Sequence, residues 1–99
     1  MRRTVCRLSD LPERQGYLVE VAGEAIALFR VGDRVHAIEN TCPHRDGPLA
    51  FGELRGATVH CPVHAWPFDV RTGRCEEFAD VAVRTFLVYV EGDEVQLEL

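Results

Sequence analysis

Apolar positions along the chain recur at the two-residue period of half-buried strands, in short β-branched and aromatic runs separated by glycine-containing turns; helical spacing is hard to find. Thr4 to Leu8 predicts a first strand, and residues 10–15 a turn or one helical turn around Pro12. Tyr17, Val19 and Val21 share one face of a strand over 17–21. Gly23-Glu24 is expected to turn it into a strand over 25–30, and Gly32-Asp33 to turn that into one over 34–39. The result is a meander whose tight turns carry glycine where a positive φ is needed.

After Asn40 the alternation stops. Residues 42–52 hold Pro43, Pro48, Gly47 and Gly52, a bent segment rather than a strand. Residues 53–54 and 57–60 then read as a hairpin about Arg55-Gly56. A strand over 65–69 leads through Arg71-Thr72-Gly73 to Arg74-Cys75, and residues 76–82 form an acidic connector. Strands over 84–90 and 94–99, joined at Glu91-Gly92-Asp93, are expected to return to the base sheet. The expectation is a single all-β antiparallel domain, 1–99, with a base from residues 1–40 and 80–99 and an inserted subdomain over 41–79.

Composition narrows the function. A chain of 99 residues supports one modest core. A net charge of -5 argues against nucleic-acid binding and favours a partner with a basic docking face. Arg2-Arg3 raises a twin-arginine export signal, but no apolar segment follows it, and no apolar run approaches the length of a membrane span. A cytoplasmic location is expected.

The chemistry sits in two elbows, Cys42-Pro43-His44 and Cys61-Pro62-Val63-His64, each offering one thiolate and one imidazole. Two strands returning on each other bring such tips face to face and make a four-ligand site of Cys42, His44, Cys61 and His64. Zinc accepts this set, though its structural sites usually pair like ligands. A [2Fe-2S] centre with two cysteines on one iron and two histidines on the other needs one mixed pair per loop. Zinc would make the chain a metal-stabilised binding module; the cluster would make it redox-active. His60 and His36 fall within strands and read as strand residues rather than ligands. Cys6 and Cys75 read as buried, unreactive thiols, with a disulfide between them as the alternative. No nucleophile with a neighbouring base, and no carboxylate pair, suggests catalysis by this chain alone.

The stretches Asn40-Thr41-Cys42-Pro43-His44-Arg45-Asp46-Gly47-Pro48-Leu49 and Cys61-Pro62-Val63-His64-Ala65-Trp66-Pro67-Phe68-Asp69-Val70-Arg71-Thr72-Gly73 resemble the two cluster-binding loops of Rieske-type ferredoxins. The likeness extends over the whole chain. It is nearest to the soluble proteins that include the small subunit of assimilatory nitrite reductase and the ferredoxin components of ring-hydroxylating oxygenases; the segment from Arg45 to Leu49 looks more like the former. The resemblance implies a Rieske-like β-sandwich base, one [2Fe-2S] cluster on Cys42, Cys61, His44 and His64, and an electron carrier between a reductase and a terminal oxidoreductase. Respiratory members of the family brace the loops with a disulfide, where this chain has Gly47 and Val63. They also supply Ser and Tyr hydroxyls where it has Trp66 and Phe68. Fewer donors toward sulfur imply a reduction potential in the lower half of the Rieske range. Relatives often carry glycine at Ala65, so a positive φ there would strain the alanine. Trp66 is expected in the core or as a cover over the cluster, and Phe68 in the core.

Overall fold

The structure, a computed structural model, describes residues 1–43 and 46–99. It is built from short antiparallel strands: β1 (Arg2–Arg7), β2 (Tyr17–Val21), β3 (Glu24–Val31), β4 (Arg34–Glu39), β5 (Glu53–Arg55), β6 (Thr58–His60), β7 (Pro67–Asp69), β8 (Thr85–Phe86), β9 (Val88–Glu91) and β10 (Glu94–Glu98). Single 3-10 turns lie at Leu8–Asp10 and Leu49–Phe51. Three sheets result, with strand orders β1-β10-β9, β2-β3-β4-β8 and β5-β6-β7.

The middle sheet carries the molecule because both of its faces are covered. Its cross-strand row Tyr17–Leu28–Ala37–Phe86 faces the β1-β10-β9 sheet and packs with Val95 and Leu97. The adjacent row, Leu18–Ala27–Ile38, points the opposite way and joins Phe29, Leu49, Val59 and Phe68 in a second core. Successive side chains alternate sides, so two buried faces demand an unbroken apolar run. β3 supplies it: Ile26, Ala27, Leu28 and Phe29 are all fully buried. The third sheet adds its own buried row, Leu54–Val59–Phe68, to the second core.

Several boundaries differ from those read along the chain. The β2–β3 turn is Ala22-Gly23, both at positive φ (53° and 79°), because Glu24 is already paired with Val21. β7 begins at Pro67 rather than residue 65. Arg74 and Cys75 form only isolated bridges, to Ala82 and Phe68. The run over 84–90 splits at Leu87 into β8 and β9, which belong to different sheets. The C-terminal hairpin builds the outer sheet with β1 instead of extending the meander. No helix among the described residues is long and apolar enough to cross a membrane.

Candidate metal centre

Both cysteine-bearing segments are hairpin loops, and they are built alike. The first is closed by a bridge between Thr41 and Pro48, the second by the last β6–β7 pair, His60 and Pro67. In the first, the Cys42 N–H donates to the Gly47 carbonyl at 2.9 Å and the Asp46 N–H to the Cys42 carbonyl at 2.8 Å. In the second, the Cys61 N–H donates to the Trp66 carbonyl and the Ala65 N–H to the Cys61 carbonyl, both at 2.9 Å. The fourth residue after each cysteine holds a left-handed backbone, Asp46 at φ 56° and Ala65 at φ 59°. The sequence signal for this duplication was Cys-Pro with a second proline five residues beyond the first, present in both loops. The histidine comes one position later in the second loop, and there His64 too is left-handed, at φ 67°.

Two glycines let the loops meet. A Cβ on Gly47 would stand 2.4 Å from the Cys61 sulfur and 3.3 Å from Val63 Cγ2. Gly47 thus lies directly against the sulfur of the opposite loop. A Cβ on Gly52 would stand 2.1 Å from the His60 carbonyl oxygen, so the turn leaving the first loop presses on the backbone that enters the second. Asn40, the one buried polar side chain among the described residues, fixes the same turn. Its Oδ1 accepts the Ala50 N–H at 2.8 Å, its carbonyl accepts the Leu49 N–H at 2.8 Å, and its own N–H donates to Ala25 on β3. The positioning parts played by Asn40 and Gly52 escape a reading of the chain, because they arise from contacts between distant segments.

Of the four candidate ligands, three lie in the described residues, and His44 lies outside them with Arg45. Cys42 and Cys61 are buried, at 0% and 2% exposure, in one apolar cluster. His64 is exposed. The Cys61 sulfur accepts the Val63 N–H at 3.4 Å. The donor set fits a two-iron group: thiols inside a water-poor shell, an imidazole at the surface, and an amide aimed at a sulfur that carries negative charge when ligating. Phe68 is in the core, as expected. Trp66 is half-buried, its ring 4.5 Å from that of Phe78.

Cys6 and Cys75 are unbridged. Burial first, then the Asp10 and Asp93 carboxylates, push the Cys6 thiol up to about 11, which leaves it protonated and unreactive near neutrality. Cys75 is buried as expected, whereas Cys6 is only half-buried. His60 is half-buried, and its Nδ1 is enclosed without a hydrogen-bond partner among the described residues.

Residues 2–87 match the Rieske [2Fe-2S] domain family. The chain belongs to that family. The Rieske domain carries one [2Fe-2S] cluster, and the protein is a one-electron carrier serving a partner oxidoreductase. It is 36% identical over 96 residues to the ferredoxin component of biphenyl 2,3-dioxygenase from Rhodococcus jostii (strain RHA1), covering 96% of this chain and 90% of that one. A chain in the complex of reduced oxygenase and oxidized ferredoxin of carbazole 1,9a-dioxygenase superimposes with a TM-score of 0.87 at 34% identity, over 97% of this chain and 91% of that one. A protein described as an NADH-dependent nitrite reductase small subunit from Mycobacterium tuberculosis gives 0.88 at 27% identity, over 98% and 93%.

Proposed function

We propose that Cys42 and Cys61 hold one iron and His44 and His64 the other, in a subdomain over 41–79 set on a base of residues 1–40 and 80–99, and that the chain is the ferredoxin component of a dioxygenase system in the cytoplasm. The observation that carries the ligand assignment is the duplicated hairpin loop: buried cysteines at equivalent positions, each followed by a histidine, with His64 facing solvent. When bound, the cluster takes up and releases one electron. The protein's part is to keep the sulfurs dry, hold the loops against each other through Gly47 and Gly52, and leave the His64 imidazole open to a docking partner. Neutral His44 and His64 ligands would leave the oxidised site uncharged and the reduced one at -1, so the loops would need little rearrangement.

The dioxygenase assignment rests on identity over the full chain, which outweighs the five-residue likeness of Arg45 to Leu49 to the nitrite reductase subunit. Purified protein should be red-brown, contain iron and acid-labile sulfide in equal amounts, and give an EPR signal on reduction. Cys42→Ser and Cys61→Ser should lose the cluster. One colourless divalent ion per chain would overturn the cofactor reading. Electron delivery to a nitrite reductase but to no oxygenase would overturn the partner.

A further inference from the structure

The sandwich is open at one side. β8 accompanies β4 for two residues only, Phe86 and Thr85 opposite Ala37 and Ile38, and the chain then crosses at Leu87 to the other sheet. The first half of β4 is left as an edge, and a cleft of about 390 Å³ lies between β4 and β9. That size suits a small organic ligand.

Val35, Ala37, Val88 and Val90 line it, the side chains that would seal the sandwich had β8 continued. Val90 is 44% exposed although Val95, its cross-strand partner, is fully buried, and Leu87 beside the cleft is 65% exposed. Arg34, His36 and Arg71, with Asp33 at the turn, complete its lining. The Arg71 fork is committed to Asp69, at 3.0 and 3.1 Å. Arg34 makes no ion pair among the described residues, so its guanidinium is the uncommitted cation of the rim. Burial, then the Arg34 and Arg71 charges, against an opposing effect of Asp69, hold the His36 ring below its usual range. It therefore offers hydrogen bonding without a second charge.

We propose that this cleft binds a small amphipathic monocarboxylate, its alkyl or aryl body against the valines at the sandwich mouth and its carboxylate on the Arg34 guanidinium. A planar guanidinium matches a carboxylate with two parallel hydrogen bonds. With one free cation and two neighbouring aspartates, a dianion such as phosphate is poorly matched. None of its lining residues is a candidate ligand or lies within the hairpin loops closed by Thr41–Pro48 and His60–Pro67, so it stands or falls independently of the ligand assignment.

The test is a titration of the cluster-loaded, ¹⁵N-labelled protein with octanoate, followed by amide NMR shifts, with 1-octanol and inorganic phosphate in parallel. Saturable shifts confined to residues 33–37, 70–71 and 85–90, with a Kd on the order of 1 mM or tighter, are expected. Arg34→Gln should weaken octanoate about tenfold, the loss of one charge-assisted hydrogen-bond pair, and leave the weaker octanol response unchanged. Octanol binding as well as octanoate, an Arg34→Gln variant that binds octanoate normally, phosphate displacing octanoate from the same amides, or no saturation would each overturn the proposal.

Discussion

Replacing Ala65 by glycine should make the protein more stable, although the side chain removed is a single methyl. Ala65 sits at φ 59°, where the Cβ of an L-residue crowds the following carbonyl at a cost of roughly 1–2 kcal/mol. Glycine avoids that strain but gives back about 0.5–1 kcal/mol through the greater freedom of the unfolded chain. The net gain is about 0.5–1 kcal/mol. For a chain of this length that corresponds to a rise in melting temperature of about 2–8 °C. Ala65 is exposed, so the change removes no core packing. The first loop supplies the control: Asp46 holds the equivalent backbone, at φ 56°, and aspartate tolerates that region better than alanine because its side chain can bond locally. Asp46→Gly should therefore gain less, and Ala65→Val, β-branched at a positive φ, should lose stability. The assay is loss of visible absorbance in a denaturant series on the cluster-loaded variants. If Ala65→Gly bleaches at lower denaturant than the parent, or Ala65→Val is neutral, strain at this position is not the operating term.

Gly47→Ala should lower cluster content and shift the EPR g-values, because its Cβ would lie 2.4 Å from the Cys61 sulfur; normal loading with an unchanged spectrum would refute the contact. A redox titration should place the midpoint below about +75 mV, the lower half of the Rieske range, since Trp66 and Phe68 offer no hydroxyl toward sulfur; a value near the upper end would contradict this. Asn40→Ala should cost about 1–3 kcal/mol, the penalty for stranding the buried Ala50 N–H, read as a lower denaturation midpoint. The hydrogen bonds from Arg71 to Asp69 hold that carboxyl below its ordinary value of about 3.8. Its stabilisation is thus complete above that pH and lost as pH falls through the depressed value. Asp69→Asn should flatten the acid limb of a stability–pH curve and leave the neutral region's slope unaltered.

Local signals in the chain carried far, and their failures have one cause. β2 and β4 fall on the ranges read from alternation because each is bounded by a tight turn, which fixes where pairing must stop. β8 and β9 look like one strand in the sequence because apolar residues continue through Leu87, and nothing local records that the chain changes sheets there. Alternation shortens the second loop because Ala65 and Trp66 look like strand residues; the hydrogen bond from the Cys61 N–H to the Trp66 carbonyl claims them for the loop. Cysteine and histidine spacing marked the candidate site because ligand types are scarce and specific. The glycine contacts and the Asn40 clamp that aim those ligands join segments far apart in sequence, so they become visible only once the loops are placed.

β3 contributes to both apolar cores, Ile26 and Leu28 to one, Ala27 and Phe29 to the other. Neither half of the molecule can melt while its counterpart stays intact, for each would strip one side of the same strand. Colour is therefore a gauge of the entire domain: bleaching and disappearance of sheet circular dichroism should coincide at one temperature, even when the substitution tested lies on the outer sheet.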